Sequence, residues 1–306
     1  MSDQIVFDRA LLRRRRARAA ALGPATFLID RVAEDLAWRL SAVARRFEIA
    51  VDVGTPTDAV RRALRGNDNV GTLIATGAAS GHAGAHPGAE GTPTQVVADE
   101  EALPFRDQTL DLVVSGLALQ FVNDLPGTLL QIRHALKPDG LLLAALAGGN
   151  TLTELRQALA AAEAEIEGGA SPRVAPFADV RDMGALLQWA GFALPVTDVD
   201  RLTVRCDSAF ALMQDLRRMG ATNALVERRR VPLRRATLLR AAEIYAGRFA
   251  DTDGRVRATF EIVWLSGWAP HESQQRPLRP GAARARLADA LGVREFSTGD
   301  KAGGAG

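Results

Sequence analysis

Two apolar runs, Leu110 to Ser115 and Leu141 to Leu146, flank an amphipathic stretch from Asp124 to Leu136, and Lys137-Pro138-Asp139-Gly140 turns the chain into the second run. Runs that are apolar on both faces belong to a parallel sheet covered on both sides, and the helical period between them belongs to a crossover helix. The unit is βαβ, half of a doubly wound α/β sheet. Further strands are predicted at Ile49 to Gly54, Gly71 to Ala75, Val96 to Ala98 and Val199 to Val204, with a last antiparallel one from Phe260 to Trp268. Phe27, Leu28, Val32, Leu36 and Leu40 share one face of a helix predicted over Phe27 to Arg46. Asn150 to Glu165 reads as a helix in which Thr151 and Glu154 have the spacing of a capping box, and Gly191 closes another over Val180 to Ala190.

These elements divide the chain into N-terminal helices over 1–46, an α/β domain over 47–269 with a helical insertion at about 206–258, and a tail over 270–306. The tail carries proline, glycine and charge with little periodicity and is expected to be loosely ordered. Residues 77–93 hold too much glycine and proline for a crossover helix and read as a loop.

Composition changes this picture in three ways. At 306 residues and 47% hydrophobic the chain has a full core without staples, and the single Cys206 excludes an internal disulfide and a multi-cysteine metal site. The 38 basic residues, all arginine except Lys137 and Lys301, are balanced by 36 acidic ones, which argues against a nucleic-acid partner. Local clusters remain at Arg13 to Arg16 with Arg18, and at Arg228 to Arg230 with Arg234 and Arg235. The first is either a solvated helix face or a contact for anionic lipid or nucleic acid, and the second is either solvated or a contact for a protein or a membrane surface. No apolar run approaches the roughly 20 residues of a membrane span, and Asp3 and Asp8 interrupt the start, so the expectation is a cytoplasmic protein.

The acidic pair, Leu-Pro-Phe, the strand opening Asp-Leu-Val-Val and the Lys-Pro-Asp-Gly turn follow the pattern of class I methyltransferases that use S-adenosylmethionine. Within them, ADEEALPF, LALQFVNDLPGTLLQIRHALKPDG, EGGASPRVAPF and GWAPHESQQRPLRPG resemble the complex I assembly factor 5 family, whose studied member is an arginine hydroxylase. The resemblance implies a sheet order of 3-2-1-4-5-7-6 and a respiratory complex I subunit as protein substrate. It also implies cofactor positions at Asp52, Gly54, Asp99, Glu100 and Leu117, with Asp99 receiving the adenine amino group. Gln120, Ser171 and Arg173 are substrate candidates.

This chain departs from the methyltransferase pattern where the cofactor's methionine and ribose would sit. After the first strand only Asp52 and Gly54 survive of the glycine-rich turn, and Pro56 removes an amide donor. The second strand ends in Thr76-Gly77 where an acid would hold the ribose. Weak S-adenosylmethionine binding is therefore expected. No histidine and carboxylate spacing indicates a metal site, and the sequence names no catalytic residue. Three readings stand: an arginine-modifying assembly factor, a methyltransferase similar to the malonyl carrier-protein enzymes, and a binding module with a degenerate cofactor site.

Overall fold

The computed structural model describes residues 5–77, 94–275 and 292. The chain divides into Met1–Pro270, which holds all the elements below, and a separate C-terminal unit, His271–Gly306. In chain order the elements are α1 (Arg9–Ala21), α2 (Phe27–Ser41), β1 (Phe47–Val53), α3 (Ala59–Leu64), β2 (Val70–Gly77), β3 (Thr94–Val97), β4 (Leu110–Gly116) and α4 (Leu125–Ala135). They continue with β5 (Leu136–Ala147), α5 (Thr153–Glu167), α6 (Val180–Trp189), β6 (Ala193–Cys206), α7 (Ala209–Arg218), α8 (Arg235–Phe249) and β7 (Val256–Trp268). The seven strands form one sheet in the order β3-β2-β1-β4-β5-β7-β6, as expected, with β7 antiparallel to both neighbours.

Alternation along the central strands explains the layers. Leu112, Val114, Leu141 and Leu143 point into one core with α2, α5, α7 and α8, whereas Val113, Leu142, Ala144 and Leu146 point into a second with α4 and α6. Both faces are covered, which is why these strands are continuous in apolar residues. On α2 the buried stripe is Leu28, Ile29, Val32, Ala33, Leu36 and Leu40, and each fully buried aliphatic side chain contributes about 1.5–3 kcal/mol relative to exposure. Phe27, expected on that stripe, is exposed at the first turn.

Several local expectations need correction. The helix expected to Arg46 stops at Ser41. The Lys137-Pro138-Asp139-Gly140 segment does not interrupt the sheet: β5 begins at Leu136 and runs through it, with a register shift opposite Leu110/Leu112 and Asp139 at φ +63°. The capping box is absent, because α5 starts after Leu152 at φ +55° and no side chain caps it. Thr151 and Glu154 serve β7 instead. Thr151 Oγ1 donates to the Glu261 carbonyl and accepts from its N–H, and the Glu154 carboxylate accepts from Thr259 N–H. Cys206 is buried, and burial pushes its thiol pKa up, as suits an inert core residue. The expected loop at 77–93 lies, beyond Gly77, outside the described residues, as does nearly all of the tail after Gln275.

Candidate active site cleft

In an open α/β sheet the ligand crevice lies beyond the carboxyl ends of the strands. Here a cleft of about 650 Å³ opens at that end, walled by α1, α2, α3, the segments after β1 and β4, and residues 216–221. Its lining is apolar at Leu28, Ile29, Leu117, Phe121 and Ile262 and basic at Arg16, Arg61, Arg62, Arg65 and Arg218.

The turn after β1 explains two of the expected positions. Gly54 has φ +68°, and a Cβ there would lie 2.6 Å from Glu100 Cγ, so glycine is required both by conformation and by the neighbouring side chain. Asp52 is 1% exposed. Its Oδ1 accepts from Thr55 Oγ1 at 2.5 Å, while Oδ2 has no hydrogen bond and stands 3.6 Å from Arg61 Nη1. Burial, opposed by Thr55 and Arg61, pushes its carboxyl up to about 6.

Asp99, Glu100 and Glu101 follow β3 and converge on arginines of α1. Arg9 Nη2 donates to Asp99 Oδ1 at 2.6 Å and also to the Glu100 carboxylate, and Arg9 Nη1 is 3.0 Å from Glu101 Oε1. Arg13 pairs with Asp99, and Arg16 Nη1 lies 3.4 Å from Glu100 Oε1 with its guanidinium 5.7 Å from the centre of the Phe121 ring. Glu100 is thus a buried ion-pair centre rather than a solvated loop charge. The signal for this was available, since positions 9, 13 and 16 recur at the spacing of one helix face.

The N-terminal segment is fastened by Asn123. Asn123 Oδ1 accepts from Val6 N–H at 2.9 Å and Phe7 N–H at 2.7 Å, and its Nδ2 donates to the Phe7 carbonyl at 3.1 Å. Phe7 then enters a small apolar cluster, edge-on to Phe121, with Leu12, Ala224 and Leu225. Capping of α4 falls to Asp124, which accepts from Gly127 N–H at 2.8 Å.

Of the other expected residues, Leu117 and Gln120 line the cleft and Ser171 and Arg173 do not. Leu117 sits at φ +51° with its N–H held by the Ala145 carbonyl, a left-handed conformation of the sort found where backbone is shaped around a ligand. Gln120 Nε2 donates to the Leu117 carbonyl, which leaves Oε1 buried without a partner. Ser171 and Arg173 are committed to Glu163, which is fully buried and receives Ser171 N–H at 2.8 Å, Ser171 Oγ–H at 2.9 Å and Arg173 Nε–H at 2.9 Å. Burial raises the Glu163 pKa, but these hydrogen bonds outweigh it and hold the carboxyl below its ordinary value.

The residues present fit S-adenosylmethionine poorly. The space over Gly54 is filled by Glu100, β2 offers Thr76 where the ribose needs an acid, and Asp99 is engaged by two arginines. Among the described residues no group of three His, Cys, Asp or Glu is placed to hold a metal ion.

Comparison with known proteins agrees with the fold. A methyltransferase domain model matches residues 51–144. The solved YcgJ protein of Bacillus subtilis has a TM-score of 0.51 over 77% of this chain and 98% of its own at 12% identity, a likeness of fold alone. A malonyl-[acyl-carrier protein] O-methyltransferase of Laribacter hongkongensis is 40% identical over 62% of this chain and 61% of its own. The Danio rerio protein named arginine-hydroxylase NDUFAF5, mitochondrial, is 39% identical over 93% of this chain and 89% of its own. That match covers more than nine-tenths of this chain, and by it the chain belongs to the arginine-hydroxylase NDUFAF5 family.

Proposed function

We propose that this chain hydroxylates an arginine side chain of a respiratory complex I subunit during assembly of that complex, a C–H bond becoming C–OH with dioxygen as oxidant and an external two-electron reductant taking the second oxygen atom to water. The observation that carries the reading is the grip of Asp99, Glu100 and Glu101 on one guanidinium. Three carboxylates around a planar fork form the arrangement that selects arginine over lysine, because the fork satisfies several acceptors at once. A substrate arginine that displaced Arg9 would meet the same three groups, which lie under α1 and outside the cleft lining at Leu117 and Gln120. Ser171 and Arg173 act by holding the segment after α5 in place and do not touch the substrate.

S-adenosylmethionine binds weakly in this reading. Two of its three recognition elements are missing, and each lost charged or backbone hydrogen bond costs about 1.5–3 kcal/mol, so affinity falls by roughly a hundredfold or more. The chain works in the cytoplasm at the inner face of the membrane, touching it peripherally through its basic helices. Among the described residues no helix is long and apolar enough to cross a membrane.

The test is mass spectrometry of complex I subunits from cells with and without the gene. Loss of one oxygen atom's mass from one subunit arginine, together with less assembled complex, supports the reading. Normal complex I with a methyl group missing elsewhere would instead favour a methyltransferase, the reading encouraged by the malonyl carrier-protein relatives. Poor assembly with that arginine unmodified in the parent strain would leave a binding module.

A further inference from the structure

The cleft is one-sided in charge. Arg16, Arg61, Arg62, Arg65 and Arg218 line it, and Asp58 is the one acid among its described lining residues. Carboxylates answer two of the five arginines, Glu100 beside Arg16 and Asp30 with Asp58 beside Arg62. Arg65 and Arg218 have no carboxylate partner among the described residues, and Arg218 Nε donates to the Gly23 carbonyl at 2.8 Å. Arg61 is only 8% exposed, yet its guanidinium donates no hydrogen bond among the described residues, and its ion pair with Asp52 is 3.6 Å long. A guanidinium carries five N–H donors, and one this deep is ordinarily supplied with acceptors. Gln120, in the same lining, keeps Oε1 buried without a donor.

We propose that the cleft binds a small organic anion, a phosphate- or carboxylate-bearing molecule with an apolar ring or chain, held by Arg61, Arg65 and Arg218. Guanidinium forks take the oxygens of either group in pairs, and they keep their charge at every pH the protein tolerates. The body of the ligand has Leu28, Ile29, Leu117 and Ile262 to pack against, and a hydroxyl or amide on it would satisfy Gln120 Oε1. The volume of about 650 Å³ suits a molecule of nucleotide size. Clefts lined by one sign of charge concentrate the opposite sign, so this lining disfavours both a sulfonium and a guanidinium. The site goes beyond the hydroxylase reading and does not depend on it, because the three carboxylates assigned to the substrate arginine lie outside this lining.

The experiment is calorimetry on the full chain at about 0.15 M salt, where loose surface attraction is screened. Two pairs of probes are used: flavin mononucleotide against riboflavin, which differ by a phosphate, and indoleacetate against indoleacetamide, which differ in one carboxylate. In at least one pair the charged member should bind about tenfold more tightly than the neutral one. A preference in the first pair alone identifies a phosphate ligand, and in the second alone a carboxylate ligand. Arg65→Gln, at an exposed position, should remove most of the preference, and Arg61→Gln should remove the rest if it folds. Arg230→Gln, in the exposed cluster between α7 and α8, should leave the preference intact. No preference in either pair, a preference that survives Arg65→Gln, or an equal loss in Arg230→Gln would overturn the site. Anion binding without oxygen on any subunit arginine leaves the site standing and removes the hydroxylase reading, and a modified arginine with no anion preference does the reverse.

Discussion

Replacing Asp52 by asparagine should stabilise the protein at neutral and alkaline pH. The side chain is 1% exposed, one of its oxygens lacks a hydrogen bond, and burial pushes its carboxyl from 3.8 to about 6. A raised carboxyl pKa means that the native state holds its proton longer than the unfolded chain does. Stability on this account is greatest below the unfolded value, declines as pH rises through the folded value, and then levels off. A shift of about two units corresponds to about 3 kcal/mol once the group is fully ionised in both states. Asparagine keeps the shape and an oxygen for the Thr55 hydroxyl and never ionises, so it escapes that penalty. Urea unfolding of both proteins at pH 4.5 and pH 8 isolates the effect, because every other titrating group cancels in the comparison. Between those conditions the stability difference should move toward the variant by about 2 kcal/mol, since part of the penalty is already present at the lower pH. A difference that stays flat, or that moves toward the parent, would refute the assignment and point to Arg61 as a true ion-pair partner at its 3.6 Å distance.

Other expectations follow from pairs described above. Arg173→Ala strands the buried Glu163 carboxylate and should cost about 3–5 kcal/mol in urea unfolding. The Glu163 pKa is lowered, so its contribution in the parent is present above the unfolded carboxyl value and disappears as pH falls through the folded one, the reverse of Asp52. Asn123→Ala removes three hydrogen bonds to Val6 and Phe7 and should speed hydrogen exchange at residues 6–12 without moving the urea midpoint of the sheet. Calorimetry should find S-adenosylmethionine weaker than low-micromolar, and a tight constant would mean that Glu100 vacates the space over Gly54.

The sheet was legible because its strands are buried on both faces and the crossover helix has a clear period. Sequence distance hid the remainder. Lys137 to Gly140 has the composition of a turn, yet Lys137 Nζ bonds both Asp111 oxygens at 3.0 Å and Ala269 N–H donates to the Gly140 carbonyl, so tertiary pairing draws the segment into β5. Thr151 and Glu154 have capping spacing, but β7, more than 100 residues later, offers backbone partners in a buried setting and wins them. In the candidate site, position along the fold located Asp99 and Glu100 correctly at the end of β3. Their occupants were passed over because Arg13 to Arg16 with Arg18 resemble a solvated helix face, although the spacing of Arg9, Arg13 and Arg16 puts these three on one side of α1.

The position of β7 between β5 and β6 has a consequence for synthesis. Until the ribosome has released Trp268, β5 is the outermost strand of a five-stranded sheet, and its open border carries Leu142, Leu143, Ala144 and Ala145, all buried in the finished molecule. An apolar, unpaired border is a template for other chains. The border that finally faces solvent is β6, with Asp198, Asp200, Arg201 and Arg205 along it and Arg39 bridging the first two from α2. The nascent chain therefore passes through an adhesive stage that ends only when its last strand slots in and places a charged strand outermost.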